Sequence, residues 1–66
     1  MNEDLIKEFY IAAGGDINNL DDLNGFKSTF SNDDNFRQEI FKVVGGDVNN
    51  KDDYSNFLSA SGININ

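Results

Sequence analysis

A short block occurs twice in this chain: Gly14-Gly15-Asp16-Ile17-Asn18-Asn19, and again Gly45-Gly46-Asp47-Val48-Asn49-Asn50. A shift of 31 positions superimposes the two without a gap, and carries Asp21-Asp22 onto Asp52-Asp53 and Phe26 onto Phe57. Glycine tolerates the left-handed backbone that closes a helix, and Asp or Asn supplies the side-chain oxygen that caps the next one. Each block therefore reads as a helix stop followed by a helix start. The expected fold is all-α, with four short helices arranged as two tandem helix-turn-helix repeats that close into one small bundle over residues 1–66. Repeat 1 covers about 3–31 and repeat 2 about 34–62, with a tail at 63–66. Two repeats are fewer than an open array needs. Closure of the two on each other is the expected solution, and completion of the core on a partner the alternative.

Apolar spacing places the helices. Asn2 is the cap candidate for the first, with Glu3 and Asp4 in its first turn. Leu5, Ile6, Phe9, Tyr10, Ala12 and Ala13 then recur at helical spacing over about 3–13. Asn19 caps the second helix, about 20–30, marked by Leu20, Leu23, Phe26 and Phe30, with Gly25 costing about 1 kcal/mol in its interior. Ser31 with Asp34 three residues on is read as a capping-box variant opening the third helix. That helix runs to about 44 on Phe36, Ile40, Phe41, Val43 and Val44, and Asn50 caps the fourth, about 51–60, on Tyr54, Phe57 and Leu58. Phe9, Phe26, Phe36, Ile40 and Phe57 are the expected shared core. The tail Ile63-Asn64-Ile65-Asn66 alternates like a short strand, and whether Ile63 or Ile65 packs back stays open.

Composition removes several functions. The chain has no Cys and no His, so disulfides, thiol chemistry, the usual zinc sites and the commonest general base are all missing. Twelve Asp and Glu against five Lys and Arg give a net charge of −7. Direct binding to nucleic acid or to an anionic membrane needs a basic face, so neither is expected. The first residues are acidic rather than basic and then apolar, so no secretory leader is expected, and no apolar run reaches the length of a membrane span.

The doubled acidic turns are the densest cluster of hard oxygens. Asp16, Asn18, Asp47 and Asn49 are the candidate metal ligands, and such oxygens suit calcium. The doubling is similar to the calcium loops of dockerin modules, but the register differs: with Asp16 or Asp47 as first loop position, the sixth is Asp21 or Asp52 where glycine is required, and the twelfth is Lys27 or Leu58 rather than an acid. Turn formation and helix capping are therefore the preferred reading, and no cofactor is expected. Glu3-Asp4, Asp21-Asp22, Asp33-Asp34 and Asp52-Asp53 all fall in expected first turns, so helix dipoles account for most of the charge. Catalysis by paired carboxylates needs an enclosed cleft to separate their pKa values, which four short helices can hardly form. The chain is read as no enzyme. Tyr10, Phe41 and Tyr54 are candidates for the edge of the aromatic stripe and so for a partner surface, together with Asp21, Asp22, Asp52 and Asp53. Lys27, Arg37 and Lys42 are read as solvated, with Arg37 placed to pair with an Asp on its own helix.

Phe9-Tyr10, Gly15-Asp16, Asp21-Asp22-Leu23, Phe26-Lys27, Ser31-Asn32-Asp33-Asp34, Arg37, Ile40-Phe41, Gly46-Asp47, Asp52-Asp53-Tyr54 and Phe57 together form a pattern. It resembles the tandem helical repeats of very large phage-encoded proteins, in which an aromatic pair, a Gly-Asp turn and an Asp-Asp-x-x-x-Phe run alternate. The resemblance implies a virion-associated or assembly role, and with it a location in the host-cell cytoplasm or the virion. The leading expectation is a small acidic, non-enzymatic protein-interaction or assembly module, whose partner is another protein or a second copy of the chain. An acidic, DNA-mimicking inhibitor of a nucleic-acid enzyme and a calcium-responsive helical module are the alternatives.

Overall fold

The computed structural model of the chain describes residues 2–63. Four helices make up the framework: α1 (Glu3–Ala12), α2 (Leu20–Asn32), α3 (Asp34–Val43) and α4 (Lys51–Ala60). Each begins at an Asx residue whose side-chain oxygen accepts the N–H three residues on. Asn2 takes that of Leu5, Asn19 that of Asp22, Asp33 that of Phe36 and Asn50 that of Asp53, at 3.1 to 3.2 Å. The acids behind the caps lie in first turns, where backbone N–H groups point outward and negative charge is favoured. The 31-residue period is kept by the backbone, since Glu3 and Asp34 both open a helix, as do Leu20 and Lys51.

The α2–α3 junction corrects the expected boundary. Ser31 is no cap: it stays helical, and its Oγ donates back to the Lys27 carbonyl at 2.8 Å. Asp33 alone, with extended φ of −126°, ends α2 and caps α3, so two helices share a single non-helical residue.

Both glycine doublets end a helix with the same pair of bonds. The Gly14 N–H reaches the Ile11 carbonyl at 3.0 Å and the Gly15 N–H the Tyr10 carbonyl at 2.9 Å, while Gly45 and Gly46 do the same to Lys42 and Phe41. The first glycine of each doublet has φ near +90°, a conformation that a Cβ would strain. The second is needed for a different reason. A Cβ on Gly15 would overlap the Tyr10 ring, and one on Gly46 the Phe41 ring. In each unit, the aromatic that ends the buried stripe lies against bare backbone.

The core centres on Ile6 and Phe30, both fully buried, with Ile40, Phe41, Phe57 and Leu58 around them. Phe9, Phe26 and Phe36, expected at the centre, are half-buried and pack against this cluster from outside. Ile63 also packs on the core, whereas Ile65 lies outside the described residues. Arg37, expected in solvent, is mostly covered: one Nη donates to the Phe30 carbonyl at 2.7 Å and the other lies 3.5 Å from Asp34. Lys27 likewise folds down toward Glu3, at 3.6 Å.

The two units close on each other. The Asn2 N–H donates to the Ser61 carbonyl at 2.8 Å, one residue out of the register in which the Asp33 N–H meets the Thr29 carbonyl at 2.9 Å. The end of α4 thus meets the start of α1. Phe9 and Phe57, with centroids 4.9 Å apart, pack across that closure. No helix among the described residues is long and apolar enough to cross a membrane.

Candidate functional site

The two turns share their backbone bonds but differ in the side chains that pack against them. In the first, the Tyr10 hydroxyl donates to Asp22 Oδ2 at 2.6 Å and accepts the Asp16 N–H at 3.1 Å, tying the end of α1, the turn and the start of α2 together. That bond to Asp22, helped by burial, raises the Tyr10 pKa above its ordinary value. In the second unit Phe41 takes the same place and has no hydroxyl. There Asp53 accepts from the Asn50 side chain at 3.0 Å instead.

The second unit has its own polar cluster, at the other end of α3. The Tyr54 hydroxyl donates to Asp34 Oδ1 at 2.7 Å, and Gln38 donates to Asp34 Oδ2 at 2.8 Å. Desolvation, followed by the bond to Asp34, pushes the Tyr54 pKa up to about 12. The bonds from Tyr54 and then Gln38 lower that of Asp34. Arg37 completes this cluster through Asp34.

Beside the first turn lies an open hollow of about 300 Å³, lined by Tyr10, Asp22, Phe26, Phe36 and Ile40 together with the stretch from Ala13 to Gly15. Its rings stand at steep angles to one another. Tyr10 and Phe26 are 5.3 Å apart at 62°, and Phe26 and Phe36 5.2 Å apart at 73°. The repeat explains the space. Ile40 and Phe36 in the first setting correspond to Phe9 and Leu5 in the second, and the larger Phe9 ring packs on Phe57. An isoleucine in place of that ring leaves the hollow unfilled.

Around the same turn, Ile11, Ile17 and Leu20 are exposed by 48%, 41% and 65%. Their counterparts one repeat later are Lys42, Val48 and Lys51. Val48 packs against the core, and Val43 and Val44 are the exposed apolar residues of the second unit.

Of the residues singled out as partner contacts, Tyr10 and Phe41 are corrected. They are 3% and 6% exposed, because each is pinned beneath its glycine. Tyr54 is half-buried and packs on Phe41 and Phe57, while Asp21, Asp22, Asp52 and Asp53 are exposed. The candidate metal ligands are engaged in the turns. Asp16 Oδ1 takes the Asn18 N–H and Asp47 Oδ1 the Asn49 N–H, both at 2.9 Å. Among the described residues no group of three or more acids gathers where it could hold a metal ion. The hollow is not legible in the sequence because it joins positions up to 30 residues apart on three helices; the Tyr10-for-Phe41 and Ile40-for-Phe9 differences between repeats are the signals that point to it. No protein-family model, no curated protein and no solved structure matches this chain.

Proposed function

We propose that the chain is a small, non-enzymatic protein-interaction module whose contact surface is the first turn and the ends of the helices that flank it. The observation that carries this is the pairing of Ile11 and Leu20, both exposed, with Lys42 and Lys51 at the corresponding positions of the second unit. The second turn forms the same backbone bonds with lysines there. Ile11 and Leu20 are therefore not demanded by the fold, and exposed aliphatic side chains that a fold does not need point to a surface that another protein covers. Asp16 and Asp21, close by in sequence and exposed, would steer that protein by charge. An assembly role in a virus particle is the form of this reading that the repeat resemblance supports.

The test is the double variant Ile11→Lys, Leu20→Lys, which gives the first turn what the second already carries. It is expected to melt within a few degrees of the parent and to lose the proteins that the parent captures reproducibly from its native extract. A variant that keeps every captured protein would overturn the assignment of this face. Sedimentation of the parent over a range of concentrations shows whether the partner is a second copy.

A further inference from the structure

The hollow beside the first turn combines three features that seldom occur together by packing alone: aromatic walls, one carboxylate and an opening to solvent. We propose that it is a socket for a protein-borne N-methylated ammonium group, a methylated lysine side chain of the partner. The inference rests on the protein-interaction reading and names the chemistry of one contact within it.

The walls come first. Phe26 and Phe36 are half-buried and stand at 73° to each other, so a group entering the hollow meets two rings set at a steep angle, with the buried Tyr10 ring packed behind Phe26. Ring faces carry partial negative charge and attract cations, most strongly when the cation is desolvated. Asp22 adds a full negative charge to the lining.

The bonding of Asp22 selects among cations. Its Oδ2 already accepts the Tyr10 proton at 2.6 Å, so a visitor has Oδ1 free and must share Oδ2 with Tyr10. A guanidinium is bound best through two parallel bonds to both oxygens of a carboxylate, and at Asp22 that fork has to compete with Tyr10 for Oδ2. A primary ammonium carries three strongly hydrated N–H donors, and rings cannot replace their water. A methylated ammonium has few or no donors to satisfy and spreads its charge over methyl groups that pack against rings. It suits a site with aromatic walls and a carboxylate that is already partly engaged. Among the described residues no lysine or arginine pairs with Asp22: the ion pairs are Lys27 with Glu3, Arg37 with Asp34 and Lys42 with Glu39.

The counterpart in the second unit gives an internal control. There Phe9 occupies the space that Ile40 leaves, and Phe41 lacks the hydroxyl that positions the acid. The second unit lacks the tyrosine–acid bond that the socket has.

The test uses the full chain and amide NMR. Choline is titrated against its uncharged carbon isostere, in which a tert-butyl group replaces the trimethylammonium. Choline is expected to shift the amides of Gly14 and Gly15, to show ring-current displacement of its own methyl signals, and to bind about tenfold more tightly than the isostere. Asp22→Asn, which keeps an acceptor for Tyr10 but removes the charge, should erase that preference, and Ile40→Phe should abolish binding while raising the melting temperature. A peptide with one trimethyllysine should bind more tightly than free choline. Equal binding of choline and isostere, or choline binding that survives Ile40→Phe, would overturn the socket. Equal affinity for choline and peptide would overturn the protein-borne source. Failure with choline leaves the Ile11 and Leu20 test standing, so the two readings fail separately.

Discussion

At the scale of single residues, each glycine doublet does two jobs with one residue each. Gly14→Ala should cost about 1–2 kcal/mol, because alanine is strained at φ near +90°. Gly15→Ala should cost a similar or larger amount, about 1–3 kcal/mol, because its Cβ must displace the Tyr10 ring from a packed position. Thermal or urea unfolding of the two variants checks both, and a double variant Gly15→Ala, Tyr10→Leu should recover part of the second loss but none of the first. The tyrosines make a further prediction, in alkali. A tyrosine whose folded pKa is raised binds its proton more tightly in the folded chain, so its contribution is complete below the unfolded value of 10.0 and is lost as pH rises through the folded value of about 12. Tyr54→Phe should therefore unfold less steeply than the parent between pH 10 and 12, as followed by circular dichroism. Asp34 works in the opposite direction. Its lowered pKa contributes stability above 3.8 that is lost as the pH falls below it.

At the scale of helices, the helix starts capped by asparagine are legible in the sequence, and the depth of each apolar residue is not. Asn2, Asn19 and Asn50 cap their own helices through bonds three residues long, so spacing alone located them. Ser31 and Asp33 compete for one boundary, and the choice turns on Ser31 bonding back into α2, which no spacing rule records. Which members of an apolar stripe lie deepest also depends on the helix that crosses it. Ile6 and Phe30 are buried below Phe9, Phe26 and Phe36 because Ile40 and Phe41 of α3 and Phe57 and Leu58 of α4 close over them. The hollow is a still more distant property, since it follows from Ile40 standing where the closed counterpart has Phe9. The caps should each be worth about 1 kcal/mol, measured as Asn19→Ala and Asn50→Ala by chemical denaturation. Gly25 offers the reverse. It is helical, and a Cβ built on it meets nothing within 4 Å, so Gly25→Ala should stabilise α2 by about 0.5–1 kcal/mol.

At the scale of the whole molecule, the two units share one core, and neither is expected to fold when made alone. Ile6 comes from the first and Phe57 and Leu58 from the second, yet they belong to one cluster around Phe30. Phe30→Ala should cost about 3–5 kcal/mol and leave too little stability for a cooperative transition in so small a chain, as differential scanning calorimetry would show by the absence of a peak. At the seam where Asn2 meets Ser61, the start of α1 lies beside the end of α4. Topologically, the polypeptide is then a loop with a nick, and which unit is written first is arbitrary. A permuted gene that begins at Asp33 and fuses the old ends through a few flexible residues should yield the same four-helix bundle, with the helices encoded in the order α3, α4, α1, α2.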